Sequence, residues 1–120
     1  MQTDEKQPVT IVLSEIFLKD IKDLAKSYRS VRKDILPLIE RLSNGEIVGN
    51  RIKGFDSIIY KTRVKNSDNQ KGSSGGYRVI YYVQTAECIV LTNIYSKSDY
   101  ENIDDSLIEK SIQQYLENNL

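Results

Sequence analysis

Between residues 57 and 95, three runs rich in β-branched and aromatic residues follow one another with only turn-like sequence between them. The runs span about 57–65, 77–84 and 88–95, with the length and composition of strands. Connections this short join antiparallel neighbours, because a parallel return needs a crossover of a dozen or more residues. The first connection, 66–76, is rich in Asn, Ser and Gly. The second, Thr85-Ala86-Glu87, is a tight hairpin. A sheet built this way has to bury one face against another layer.

The remaining sequence supplies that layer. VTIVL at 9–13 reads as a further strand. Ser14 is a helix N-cap with acidic Glu15 behind it, and Ile16, Phe17, Ile21 and Leu24 recur at helical spacing from 15 to about 26. Ser30 can cap a second helix, with Val31, Ile35, Leu38, Ile39 and Leu42 on one stripe. Pro37 interrupts it, which predicts a kink or two short helices meeting there. Asn44-Gly45 ends the segment as a left-handed cap would. Residues 45–54 read as a connecting loop. Asp104-Asp105 opens a terminal helix carrying Leu107, Ile108, Ile112, Tyr115 and Leu116 on one side. The expected fold is α+β: an antiparallel sheet of about four strands, a helical pair on one face and a C-terminal helix.

The chain has 120 residues, enough for one domain over 1–120, with polar residues 1–8 expected to fray. It holds no run of about 18 apolar residues for a membrane span, and its acidic start lacks a signal-peptide core. The single cysteine, Cys88, lies in an apolar run and fits a reducing, cytoplasmic setting. Histidine is absent, so the commonest general base, the triads built on it and histidine metal sites are all missing. With one cysteine a structural zinc site is excluded too, and no cofactor is expected.

The net charge of zero conceals a split. From 51 to 82 seven cations face two acids, and from 99 to 120 six acids face Lys110 alone. Lys61, Arg63 and Lys65 alternate, so in a strand they share a face, while Ile58, Tyr60, Thr62 and Val64 make the better core face. In the next strand Arg78, Ile80 and Tyr82 share a face. In the last one Leu91, Asn93 and Tyr95 do, with Lys97 just beyond. If the register permits, Lys61, Arg63, Arg78, Tyr95 and Lys97 form one cluster. Lys65, Lys71 and Tyr82 are further candidate RNA contacts around it.

Clustered cations repel unless a polyanion neutralises them, which makes RNA the first candidate ligand. RNA cleavage without histidine needs a base for the 2′-hydroxyl, stabilisation of phosphate charge and a proton for the leaving oxygen. Neighbouring cations depress a lysine pKa, arginine clamps phosphate with two hydrogen bonds, and tyrosine positions a hydroxyl or stacks on a base. The spacing does not say which residue does which. An alternating basic strand is also the pattern of a plain solvated face, and Gly75-Gly76 fits a turn or bulge as well as a phosphate cradle.

The stretch GFDSIIYKTRVKNSDNQKGSSGGYRVIYYVQTAECIVLTNIYSKSDYENI resembles the RelE/ParE superfamily of bacterial toxins, with its HigB-type branch nearest. The shared pattern is a Gly-Phe before a basic strand, a Gly-rich loop, Gly-Gly-x-Arg-Val-Ile-Tyr-Tyr, and an apolar strand ending Ile-Tyr-x-Lys. The resemblance implies a RelE-like fold and a toxin of a type II toxin–antitoxin pair that cleaves messenger RNA on the ribosome. It implies that Arg78 stabilises phosphate charge and that Lys61 or Arg63 assists deprotonation or neutralises charge. Tyr95 and Lys97 would then position the RNA. It also implies a cognate antitoxin, of the helix-turn-helix kind in this branch. Two alternatives stay open: a ParE-like toxin that binds DNA gyrase without cutting RNA, and an inactive antitoxin-binding module.

Overall fold

The computed structural model describes residues 8–69 and 75–119. The chain runs β1 (Thr10–Leu13), α1 (Glu15–Ala25), α2 (Val31–Asp34), α3 (Leu36–Ser43), β2 (Asn50–Ile52), β3 (Ile59–Val64), β4 (Tyr77–Thr85), β5 (Cys88–Ser96) and α4 (Asp105–Asn118). The strands form one sheet in the order β1-β5-β4-β3-β2. The architecture is the expected α+β arrangement, with two differences in the sheet.

The sheet has five strands, and it is mixed. Residues 50–52 add an edge strand where the sequence reads as loop, with Asn50 opposite Lys61 and Ile52 opposite Ile59. Three residues are too few for a period of two to show. β1 pairs with β5 in parallel, Thr10 opposite Cys88 and Leu13 opposite Leu91. Helices α1–α3 and strands β2–β4 all lie between these two strands in the chain, so the connection far exceeds the crossover a parallel pair needs.

Local chemistry sets the helix ends. The Ser14 hydroxyl accepts from Phe17 N at 3.1 Å, as an N-cap should. The helical stripe through Pro37 is broken into α2 and α3, with Pro37 in the first turn of α3, where its missing N–H costs nothing. At the end of α3, Gly45 N donates to Leu42 O at 3.0 Å and Glu46 N to Arg41 O at 3.1 Å. This is a Schellman closure at the predicted cap.

The main core lies between α1–α3 and one sheet face. Phe17, Val31, Leu42, Tyr77, Val79, Tyr81 and Leu91 are fully buried there. Burial of each such side chain stabilises by about 1.5–3 kcal/mol. Tyr60 stacks on Tyr81 with ring centroids 5.5 Å apart, and the Tyr81 hydroxyl donates to Val48 O.

The opposite face carries a second, smaller core. There α4 packs Ile108 and Ile112 on Ile59, Ile80 and Tyr95. Asn93 Nδ2 donates to Ser111 Oγ at 2.9 Å, which ties α4 to β5. Two face assignments change accordingly. Ile59, on the cationic side of β3, is completely buried, while Ile58 is 39% exposed. Leu91 does not share a face with Asn93 and Tyr95. The register slips between Ile80 and Tyr81, so Ile80 faces Asn93 but Tyr81 faces Leu91. This bulge at Thr92 sends Leu91 into the main core.

Candidate functional site

Strand register assembles the cations. Arg63 on β3 lies directly opposite Arg78 on β4, and Arg78 lies opposite Tyr95 on β5. The next row holds Lys61 opposite Ile80, and Ile80 opposite Asn93. Toward Ile59 the face disappears beneath α4, and toward Arg63 it emerges. The emerging part floors a cleft of about 720 Å³, lined by Lys61, Arg63, Arg78, Tyr95 and Lys97. All five residues assigned to the cluster from sequence therefore meet in one place.

Other assigned residues stand apart. Tyr82 is half-buried in the small apolar cluster with Ile59 and Ile112, so α4 covers it. Lys65 is exposed just past the end of β3 and does not line the cleft. Lys71 lies outside the described residues.

Arg78 is the anchor of the row. It is 8% exposed, and its Nη1 donates to Tyr77 O at 3.2 Å. Burial, then the charge of Arg63, lowers its pKa from the ordinary arginine value. A guanidinium stays protonated even so, which leaves a desolvated fixed charge at the cleft floor. Like charges placed directly opposite on neighbouring strands are destabilising, so packing alone gives no reason for Arg63 to face Arg78. Two ion pairs occur among the described residues, Asp23 with Lys26 and Arg41 with Glu46, and neither involves Lys61, Arg63 or Lys97.

Tyr95 sits beside Arg78 with its hydroxyl buried and without a hydrogen-bond partner among the described residues. Burial raises its pKa, against the opposing pull of Arg78, so it keeps its proton at neutral pH. It is a donor in waiting, not a phenolate base. Lys97 is fixed by its backbone, whose N–H donates to Gly76 O at 2.8 Å. A side chain on Gly76 would collide with the carbonyl of Val64, and its Cβ would lie 3.1 Å from Asn66 N. Gly76 thus allows close approach of the chain to the end of β3.

The cleft walls escaped the sequence reading. One wall is Gly49-Asn50 at the start of β2, and the other is Glu101-Asn102 between β5 and α4. Gly49 has φ +88°, and a Cβ there would sit 2.7 Å from the Thr62 Cβ. Lys61 Nζ donates to Asn102 Oδ1 at 3.0 Å, and Lys97 Nζ donates to Glu101 O at 3.0 Å. Both walls come from irregular or very short segments, where no periodicity marks a residue. The positive φ needed at Gly49 is the one signal a glycine between two loops offers. Among the described residues no three His, Cys, Asp or Glu side chains gather as metal ligands.

A mixed open sheet with three helices on one face, and a basic cleft beside a single helix on the other, defines a small α+β protein with a cationic site on the sheet. The family model described as the RelE toxin of the RelE/RelB toxin–antitoxin system matches residues 16–117, and the chain belongs to that family. It is therefore a toxin of a toxin–antitoxin system and has a cognate antitoxin partner. No curated protein matches the chain. No helix among the described residues is long and apolar enough to cross a membrane.

Proposed function

We propose that the chain is a ribosome-dependent endoribonuclease that halts translation by cutting messenger RNA, and that it lies in the HigB-type branch with a helix-turn-helix antitoxin. The observation that carries this reading is the row Arg63–Arg78–Tyr95, flanked by Lys61 and Lys97 in one cleft. A scissile phosphate set over this row receives charge from both guanidiniums. Attack by the 2′-hydroxyl places a second negative charge on the phosphorus oxygens, and donors already fixed there stabilise it most. Arg78, held by burial, stabilises that charge. Lys61 or Arg63 assists loss of the 2′-proton or neutralises the charge that forms. Protonated Tyr95 and Lys97 hold the chain. The products are a 2′,3′-cyclic phosphate and a free 5′-hydroxyl, with the 2′-proton balancing the one delivered to the leaving oxygen.

Expression of the chain should arrest translation, and mapping of message 5′ ends should show new cuts. Arg78→Lys keeps the charge but loses the two-pronged contact, and should lower cleavage by about 2–4 kcal/mol of transition-state stabilisation, roughly 30- to 1,000-fold. Growth arrest without new RNA ends, accompanied by broken DNA, would instead identify a gyrase-directed toxin. Antitoxin binding without arrest would identify an inactive module.

A further inference from the structure

We propose that residues 98–104 form a latch across the cleft, in which Asn102 and the main chain of Glu101 hold Lys61 and Lys97 until RNA phosphate displaces them. The proposal rests on the RNA-cleaving reading of the cleft and adds a means of regulating it.

The two lysines on opposite sides of the row are both engaged, and both acceptors come from adjacent residues of one irregular segment. The segment is anchored at its two ends. At its start, the N–H groups of Asp99 and Tyr100 both donate to Ser96 O at 3.0 Å. At its far end, Ile103 packs against the small apolar cluster beneath α4. Between these anchors Glu101 and Asn102 are exposed, and they touch the site through neutral oxygens.

Those oxygens stand where a nucleotide would place its own. A neutral carbonyl satisfies an ammonium group in the free protein, but a phosphate oxygen makes the stronger, charge-assisted bond. Exposed bonds of this kind contribute little net stability in water. The arrangement therefore parks both lysines in defined positions and releases them to an anion. Glu101 uses its main-chain oxygen, so Asn102 is the residue whose side chain sets the strength of the latch.

The test compares the full chain with Asn102→Ala and Asn102→Asp. The probe is a single-stranded, 2′-O-methylated RNA oligonucleotide that cannot be cut. Asn102→Ala frees Lys61 and should tighten binding about threefold. Asn102→Asp places a full charge against Lys61 and should weaken binding about tenfold. Amide deuterium uptake over 98–104, measured without RNA, should rise severalfold in Asn102→Ala and fall in Asn102→Asp. Weaker binding by Asn102→Ala would make Asn102 a direct RNA contact and overturn the latch. Equal deuterium uptake in all three proteins would overturn it as well. Absence of oligonucleotide binding from all three proteins would place RNA capture on the ribosome, and the deuterium result then decides the latch by itself, while cleavage of messages in expressing cells decides the nuclease reading.

Discussion

Arg63→Gln should make the protein more stable and less toxic at once. Arg63 is exposed on β3 directly across from buried Arg78, whose pKa its charge helps to lower. Opposed cross-strand residues have Cβ atoms about 5 Å apart, so two extended guanidiniums lie at roughly 6–8 Å. With an effective dielectric constant of about 40 for a half-open site, unit charges at that distance repel by about 1 kcal/mol. Arg63 has no ion pair among the described residues to set against this loss. Urea unfolding in 50 mM salt should therefore show a gain of about 0.5–1 kcal/mol. In 1 M salt the screening length falls to about 3 Å, and the gain should vanish. On the proposed RNA-cleaving reading, the same variant should lose at least tenfold in translation arrest, since Arg63 is the exposed guanidinium of the row. A loss of stability on replacing Arg63, or a gain that persists in 1 M salt, would refute the electrostatic account of the row.

Three further outcomes follow from the geometry. Asp20 on α1 accepts from Ile94 N at 3.2 Å, and burial raises its pKa from 3.8 to about 6. The stability tied to this raised value is fully present below pH 3.8 and is lost as pH rises through 6. Asp20→Asn keeps the acceptor, so it should gain about 1–2 kcal/mol at pH 7.5, discounting a full value of roughly 3 for partial exposure, and nothing at pH 3.5. Thermal unfolding at the two pH values checks this. Tyr95→Phe removes a buried hydroxyl that lacks a partner among the described residues, so stability should hold or rise by up to about 1 kcal/mol while RNA cleavage falls, read by melting and a cleavage assay side by side. Gly49→Ala should cost about 2–4 kcal/mol in urea unfolding, because the residue combines a positive φ with contact against β3.

Apart from β2, the element order was readable because each of the other elements carries a local signature. Ser14 before a periodic stripe marks α1, Asn44-Gly45 closes α3, and Thr85-Ala86-Glu87 turns β4 into β5. The alternation of Lys61 and Arg63 placed both on one face, and the following hairpin made Arg78 their natural neighbour. These are consequences of chain geometry over a few residues.

What stayed illegible depends on partners distant in sequence. No local pattern tells a strand whether its neighbour is parallel, and nothing within Thr10–Leu13 marks β5, which follows only after α1–α3 and β2–β4, as its partner. The bulge at Thr92 reversed the face of Leu91 while leaving Asn93 and Tyr95 in place, because one extra residue changes strand parity only on one side of it. Tyr82 looked as available as Arg78 until α4 covered one end of their common face and left the other open. Sequence alone thus determined which side chains share a face along the regular strands β3 and β4. Tertiary packing decided which stretch of that face reaches solvent, because covering it takes a helix 20 or more residues further along the chain.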